Sequence, residues 1–282
     1  MSSRPEPVGP ELLRGWGLPD PGDSKKARGD VVIVGGSRSA PGAALLAGEA
    51  ALRVGAGRVA LAVPASIDAQ VGVALPESGV VALPDDADDP FEGDLRDHVA
   101  RADVVLVGPG FDDPAETRAT LLAAVAAGAR RLVLDAFALG VLPEVERNLL
   151  PRELVLSPNK DELGILLDRD LRDEATDVVE AARRFDAVVG CYGMVAHPDG
   201  RLWHIDEGGA GLGTSGSGDV LAGAIAGFVA RGMPIERAAV WGGWAHARAG
   251  SRLEERVGLG FLARDLTAEL TPTVRDTLEQ AD

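Results

Sequence analysis

A chain of 282 residues, 46% of them apolar, can bury a large core, and with aromatics at only 4% that core must rest on Ala, Val and Leu. The net charge of −16 argues against a nucleic-acid or membrane-surface binder, since phosphate-rich surfaces would be repelled, while a nucleotide held by a local nest of backbone N–H groups stays possible. Cys191, the single cysteine, excludes an intrachain disulfide and a multi-cysteine zinc site and suits a reducing cytoplasm, and no apolar run is long enough to span a bilayer.

Residues 1–26 read as a polar, Pro/Gly-rich lead-in without the apolar core of a signal peptide, and 27–282 as one α/β domain with no evident linker or repeat. The run VVIV at 31–34 is a fully apolar strand that stops at the polar loop 35–42. An Ala-rich helix over about 43–54 and a strand over 58–63 complete a βαβ unit of near-minimal size. Further strands are expected at 79–83, 103–107, 131–134 and 153–156, with an acidic, solvated loop at 84–90 and a helix at 114–127. A helix at 173–185 follows, then strands at 186–189, 194–196 and 201–205, the last two joined by the turn Pro198-Asp199-Gly200. The glycine-rich stretch 208–218 feeds a helix carrying Val220, Leu221, Ala224, Ile225, Phe228 and Val229 at helical spacing and closed by Gly232. A long helix at 235–255 and a short one at 262–270 end the chain.

Continuous apolar strands alternating with helices predict a doubly wound, mostly parallel sheet with helices on both faces. Right-handed crossovers then bring the loops 35–42, 108–113, 135–139 and 157–162 to one edge of that sheet. Asp135, at a strand end, is placed to orient a ligand hydroxyl or a metal-bound water, or simply to cap a helix. Asn159 and Glu162, three apart at a helix start, read either as a capping box or as a ligand pair with Glu162 holding a water of Mg²⁺. The stretch around Gly216, Ser217, Gly218 and Asp219 exposes N–H groups at a helix N-terminus, which suits an anion, beside a carboxylate able to act as a base; a linker with Asp219 as a helix cap is the other reading. His246 lies on an Ala-rich helix and reads as a packed core residue outside the catalytic set.

In order along the chain, Gly35-Gly36-Ser37, Gly42-Ala43-Ala44, Gly55-Ala56-Gly57, Gly108-Pro109-Gly110, Asp135-Ala136-x-x-Leu139, Ser157-Pro158-x-x-x-Glu162 and Gly216-Ser217-Gly218-Asp219-Val220-Leu221-Ala222-Gly223 resemble the NAD(P)H-hydrate dehydratases of the ribokinase-like superfamily over roughly 24–270. The resemblance implies a ribokinase-like fold and a carbon–oxygen lyase of nicotinamide nucleotide repair. Such an enzyme uses ADP or ATP with Mg²⁺ to phosphorylate the hydroxyl of (S)-NAD(P)H hydrate, and loss of phosphate restores NAD(P)H. It further implies Asp219 as catalytic base and Gly216, Ser217 and Gly218 as an anion hole. Substrate contacts would come from Ala43, Gly110, Asn159 and Asp219, nucleotide contacts from Val189, Gly190, Cys191, Tyr192, Gly193 and Gly218, and Glu162 would serve the metal. A cytoplasmic homotetramer is the implied assembly. The chain departs from the pattern with Asn159 where the family has His, Val189 where it has Lys, and Thr214-Ser215-Gly216 for Thr-Gly-Gly. Asn-x-x-Glu is the form of the superfamily's sugar and vitamin kinases, and the missing Lys fits a nucleotide-binding relative without catalysis, so both stand as alternatives. Lys26, Lys160 and Arg38 are the candidates to replace the missing cation.

Overall fold

The computed structural model describes residues 4–20 and 22–279. Residues 1–3 and 21 of the expected lead-in, and 280–282 at the other end, lie outside the described residues. The chain forms a sheet in the order β1-β10-β9-β8-β7-β6-β5-β2-β3-β4. Its strands are β1 (Glu6–Val8), β2 (Asp30–Val34), β3 (Arg58–Pro64), β4 (Gly79–Leu83), β5 (Val104–Val107), β6 (Arg131–Leu134), β7 (Glu153–Leu156), β8 (Val188–Cys191), β9 (Met194–Ala196) and β10 (Leu202–Ile205). From β2 to β8 every pairing is parallel; β9 alone runs against its neighbours β8 and β10.

Alternation along each strand sorts the core into two layers. Val31 and Ile33 of β2 face one layer, and Val32 and Val34 the other. The first layer holds α1 (Pro10–Trp16), α2 (Gly42–Arg53), α3 (Asp68–Ala74), α9 (Ser217–Ala230), α10 (Ile235–Val257) and α11 (Ala263–Glu279). The second holds α4 (Gly93–Arg101), α5 (Pro114–Ala126), α6 (Phe137–Val141), α7 (Lys160–Leu167) and α8 (Glu174–Phe185). The continuous apolar strands follow from this arrangement, since both faces of the sheet are covered.

Three departures from the sequence reading have local causes. The lead-in is partly built into the fold: β1 adds to β10 in parallel, Leu13 of α1 is fully buried, and Trp16 meets Trp203 edge to face at 6.1 Å. Its Leu12, Leu13 and Trp16 are a helix face hidden among Pro and Gly. Helix α8 ends at Asp186 in the left-handed region, φ 45, which delays β8 to 188. Helix α11 continues through Pro272 because Thr273, Val274 and Thr277 beyond it remain buried.

Helix α9 is the most enclosed of the described helices. Its residues 222–230 are all buried, and Phe228 packs against Trp241 of α10 with ring centroids 5.7 Å apart. Burying a side chain the size of Phe228 contributes about 2–3 kcal/mol. Small residues set how closely α9 approaches its neighbours. A Cβ at Gly223 would stand 2.1 Å from the Ala47 carbonyl oxygen of α2, and one at Gly227 2.7 Å from that of Ala51. On the other side, a Cβ at Gly242 of α10 would meet Ile225 Cγ1 at 2.6 Å.

Gly223→Ala is therefore expected to lose about 2 kcal/mol of unfolding free energy in a urea titration, because backbone rather than a flexible side chain must yield. Gly140→Ala, where nothing lies within 4 Å of the added Cβ, is the control and is expected to stay within about 0.5 kcal/mol of wild type.

Candidate functional site

The chain winds from β2 outward to β3 and β4, then returns to the other side of β2 and continues through β5, β6, β7 and β8. The reversal point lies between β2 and β5, where open parallel sheets bind ligands at the carboxyl ends of their strands. The loops after β2, β5 and β6 interlock there by backbone contact. The Gly36 N–H donates to the Pro109 carbonyl at 2.7 Å, and a Cβ at Gly35 would lie 2.2 Å from that same oxygen. Gly108, at φ 124, abuts the Asp135 carbonyl, while a Cβ at Gly110, at φ 76, would meet the Ala40 carbonyl at 2.6 Å and Ala43 Cβ at 2.9 Å. The positive φ at these two positions is open to glycine and strained for other residues. Ala43 and Gly110 are thus brought together.

Helix α9 enters this edge by its N-terminus. Gly216 takes φ 88 ahead of Ser217. The Ser217 N–H is bound to the Thr214 carbonyl at 3.2 Å, whereas the N–H groups of Gly216, Gly218 and Asp219 have no acceptor among the described residues. The open donors of the expected anion hole are therefore at 216, 218 and 219, with Ser217 fixing the turn. A Cβ at Gly218 would touch nothing within 4 Å, so the space in front of the helix end is open. The Ser217 hydroxyl lies 2.9 Å from Nε2 of His246, and both residues are buried. Burial pushes the His246 imidazole down to about 4, so it is neutral and can accept from the serine. His246 thus holds the first residue of α9 from α10, a role that sequence reading left out; no sequence signal joins two residues 29 positions apart on different helices.

Three carboxylates face this helix end. Burial, helped by the charge of Glu162, pushes Asp219 up to about 6. Asp135 is buried and raised well above the usual carboxylate range by desolvation, then by the charges of Asp219 and Glu162. Glu162 is itself raised, first by burial. Asp135 is presented by Ala136, which holds φ 50 and ψ −127, a costly conformation for a residue with a Cβ. The sequence reading weighed Asp135 but did not count it among the site residues; here it belongs with Asp219 and Glu162. Among the described residues no three His, Cys, Asp or Glu side chains form a direct metal cage.

Asn159 and Glu162 form a complete capping box: Asn159 Oδ1 accepts from the Glu162 N–H and Glu162 Oε2 from the Asn159 N–H, both at 2.9 Å. Each keeps one polar group free of hydrogen bonds among the described residues, Asn159 its amide nitrogen and Glu162 its Oε1. The hairpin β8–β9 turns on Tyr192 and Gly193, at φ 45 and 79, the left-handed pair that a two-residue turn demands. Val189 is fully buried, and the Cys191 thiol is pushed up to about 12 by burial. Their side chains therefore face the core, and Tyr192 is the exposed side chain of this segment. Lys160 stands at this tip, its Nζ 4.6 Å over the exposed Tyr192 ring and 2.6 Å from Glu174.

A family profile described as NAD(P)H-hydrate dehydratase matches residues 31–272. An ADP-dependent (S)-NAD(P)H-hydrate dehydratase of Xanthomonas campestris pv. campestris is 41% identical over 94% of each chain. A bifunctional NAD(P)H-hydrate repair enzyme of Moorella thermoacetica is 35% identical over 90% of this chain and 51% of its own, so the chain spans about half of that relative. Among solved structures, the ADP/ATP-dependent NAD(P)H-hydrate dehydratase of Bacillus subtilis co-crystallized with ATP/Mg²⁺ superposes with a TM-score of 0.80 at 23% identity over 97% of this chain and 98% of its own. The ribokinase of Thermotoga maritima gives 0.55 at 14% identity over 86% and 99%, which places the fold in the ribokinase-like group.

A buried His with a depressed folded-state pKa binds fewer protons than its unfolded counterpart, so its stabilising contact is present above about pH 6.5 and is lost as pH falls toward about 4. The unfolding free-energy gap between wild type and His246→Asn is expected to be widest above pH 6.5 and to narrow on acidification. A gap that stays constant from pH 7.5 to 4.5 would contradict a neutral, buried His246.

Proposed function

The chain belongs to the NAD(P)H-hydrate dehydratase family, and from that premise we propose how its residues divide the work of restoring hydrated nicotinamide nucleotides. The reaction is a nucleotide-dependent dehydration. The hydrate hydroxyl attacks the terminal phosphoryl group of ADP or ATP, releasing AMP or ADP as its proton leaves to a base, and the phosphate ester then loses phosphate together with a proton from the neighbouring ring carbon to regenerate the dihydropyridine. The observation that carries the assignment is Asp219, a half-buried carboxylate in the first turn of α9 beside free N–H groups. With its pKa near 6, Asp219 is ionised at neutral pH yet basic enough to take the hydroxyl proton. The N–H groups of Gly216, Gly218 and Asp219 stabilise the charge on the transferring phosphoryl oxygens without reorganising. His246 holds Ser217, and so the turn that aims those donors. Ala43 and Gly110 form the close backbone wall on which the nicotinamide lies.

Mg²⁺ fits this donor set. Glu162 keeps Oε1 free, and its charge acts on both Asp219 and Asp135 at the same buried edge, a setting of the kind that would hold the ion through waters. Bound there, the ion would neutralise phosphate charge. Lys160 at the Tyr192–Gly193 tip is the cation we assign to the nucleotide phosphates in place of the family lysine at position 189. The kinase alternative drew on Asn159-x-x-Glu162, and that pair is a helix capping box, which asks for no sugar or vitamin hydroxyl. A homotetramer in the cytoplasm completes the reading; family resemblance supports the tetramer, and no described helix is long and apolar enough to cross a membrane.

The assay is recovery of reduced-nicotinamide absorbance from NADPH hydrate with ADP or ATP and Mg²⁺. Wild type is expected to restore it, and Asp219→Asn to lose about 10²–10⁴-fold in kcat. No recovery with either nucleotide, from folded protein, would refute the assignment.

The same assay read against pH probes the carboxylate cluster. Because Asp219 is pushed up to about 6, kcat/KM is expected to rise with pH through that value as the base ionises. Glu162→Gln removes a neighbouring negative charge and is expected to move the inflection to lower pH. An inflection that does not move would separate Glu162 from Asp219.

A further inference from the structure

We propose that a cavity of about 200 Å³ over the carboxyl ends of β2 to β5 receives the adenosine half of the substrate, and that its carboxylates make the enzyme prefer NADH hydrate to NADPH hydrate. The assignment rests on the dehydratase reading and goes beyond it, since the family name covers both dinucleotides. The cavity begins at Gly36 and Ser37 and extends along Phe111 and Asp112, so it opens from the two loops that cross at the β2–β5 reversal point. A dinucleotide with its nicotinamide against Gly110 must carry its other half over one of the flanking loops, and this hollow adjoins that position.

The lining matches an adenosine part by part. Phe91 and Leu83, 4% and 9% exposed, are apolar surface at the cavity, and Phe111 adds a second aromatic ring, which suits a flat purine. Thr120, 6% exposed as a residue, also lines the cavity, and its hydroxyl makes no hydrogen bond to the described residues. A ligand hydrogen-bonding group there would satisfy it. The polar lining is acidic: Asp85, Asp112 and Glu116 take part, and no Lys or Arg is among the described residues that line the cavity. Asp112 is held in place by hydroxyls. Ser39 donates to its Oδ2, and the Ser37 and Ser39 hydroxyls are 2.8 Å apart. Hydrogen bonds from Ser39 and Ser37 hold this carboxyl below its usual range, so it is charged at neutral pH.

A fixed carboxylate accepts hydrogen bonds from the vicinal hydroxyls of a ribose. It repels a phosphate on the same ribose, and discrimination between the two nicotinamide dinucleotides generally turns on that contrast. Here the favoured ligand gains a hydrogen bond while its competitor meets like charge, with no Lys or Arg among the described residues that line the cavity to offset it.

Binding and turnover separate the subsite from the reaction. In titration calorimetry of the full chain, NADH is expected to bind at least about tenfold tighter than NADPH, and the ratio of kcat/KM for the two hydrates to follow it. Asp112→Asn and Asp85→Asn are each expected to narrow that ratio, and Thr120→Val to weaken both dinucleotides alike. Equal affinity of wild type for NADH and NADPH, or a preference that neither Asp variant moves, overturns the subsite. A binding preference in protein that converts neither hydrate supports the subsite and overturns the dehydratase reading instead.

Discussion

The backbone-to-backbone seat of α9 against α2 is the contact on which the rest of the molecule depends. Gly223 and Gly227 stand where a Cβ would run into the Ala47 and Ala51 carbonyls, and Gly242 lets α10 close over the opposite side. Close approach on two sides fixes the height and rotation of α9, and with it the position of the helix end that carries Gly216, Gly218 and Asp219. Ser217 and His246 then lock the first turn to α10. Glycine costs a helix up to about 1 kcal/mol per residue in intrinsic propensity, and here the cost is offset by burial of Val220, Ile225 and Phe228 against both neighbours. The Ala-rich, aromatic-poor composition follows from the same requirement, since small side chains let helices approach this closely.

Electrostatics imposes a second constraint. A chain of net charge −16 gathers Asp135, Glu162 and Asp219 at the one edge where it also leaves helix N–H groups unpaired. Burial raises all three carboxyls, and the charge of Glu162 adds to it at Asp219 and Asp135, a state that a cation would relieve. Under the proposed function the negative protein and its anionic ligands would be reconciled locally, phosphate meeting helix dipoles and Lys160 while the bulk charge repels other polyanions. The same acidity continues into the cavity beside Phe111, where it would act on a different part of the substrate.

The arrangement of the candidate site is largely legible in the sequence. The loops 35–42, 108–113, 135–139 and 157–162 do meet at one edge, because parallel strands with right-handed crossovers put every βα loop on the same side. Asp219 in the first turn of α9 could be read from a glycine loop running directly into helical spacing. Asn159 and Glu162 were ambiguous by nature, since a capping box and a ligand pair use the same residues at the same separation. The lead-in was misjudged because Leu12, Leu13 and Trp16 make only one helical turn, too short for periodicity to stand out, and β1 gains its meaning from β10 almost 200 positions away.

By itself, then, the order of apolar runs and glycine loops determined the layered sheet, the loops that share one sheet edge and the acid at the helix start, because those depend on contacts repeated locally along the chain. The tertiary structure alone decided which N–H groups stay free, that His246 serves Ser217, that Val189 and Cys191 look inward while Lys160 reaches the hairpin tip, and that a cavity forms beside Asp112. Each of these joins residues from separate elements, and their meeting is set by helix approach distances and strand register, quantities that no single stretch of sequence carries.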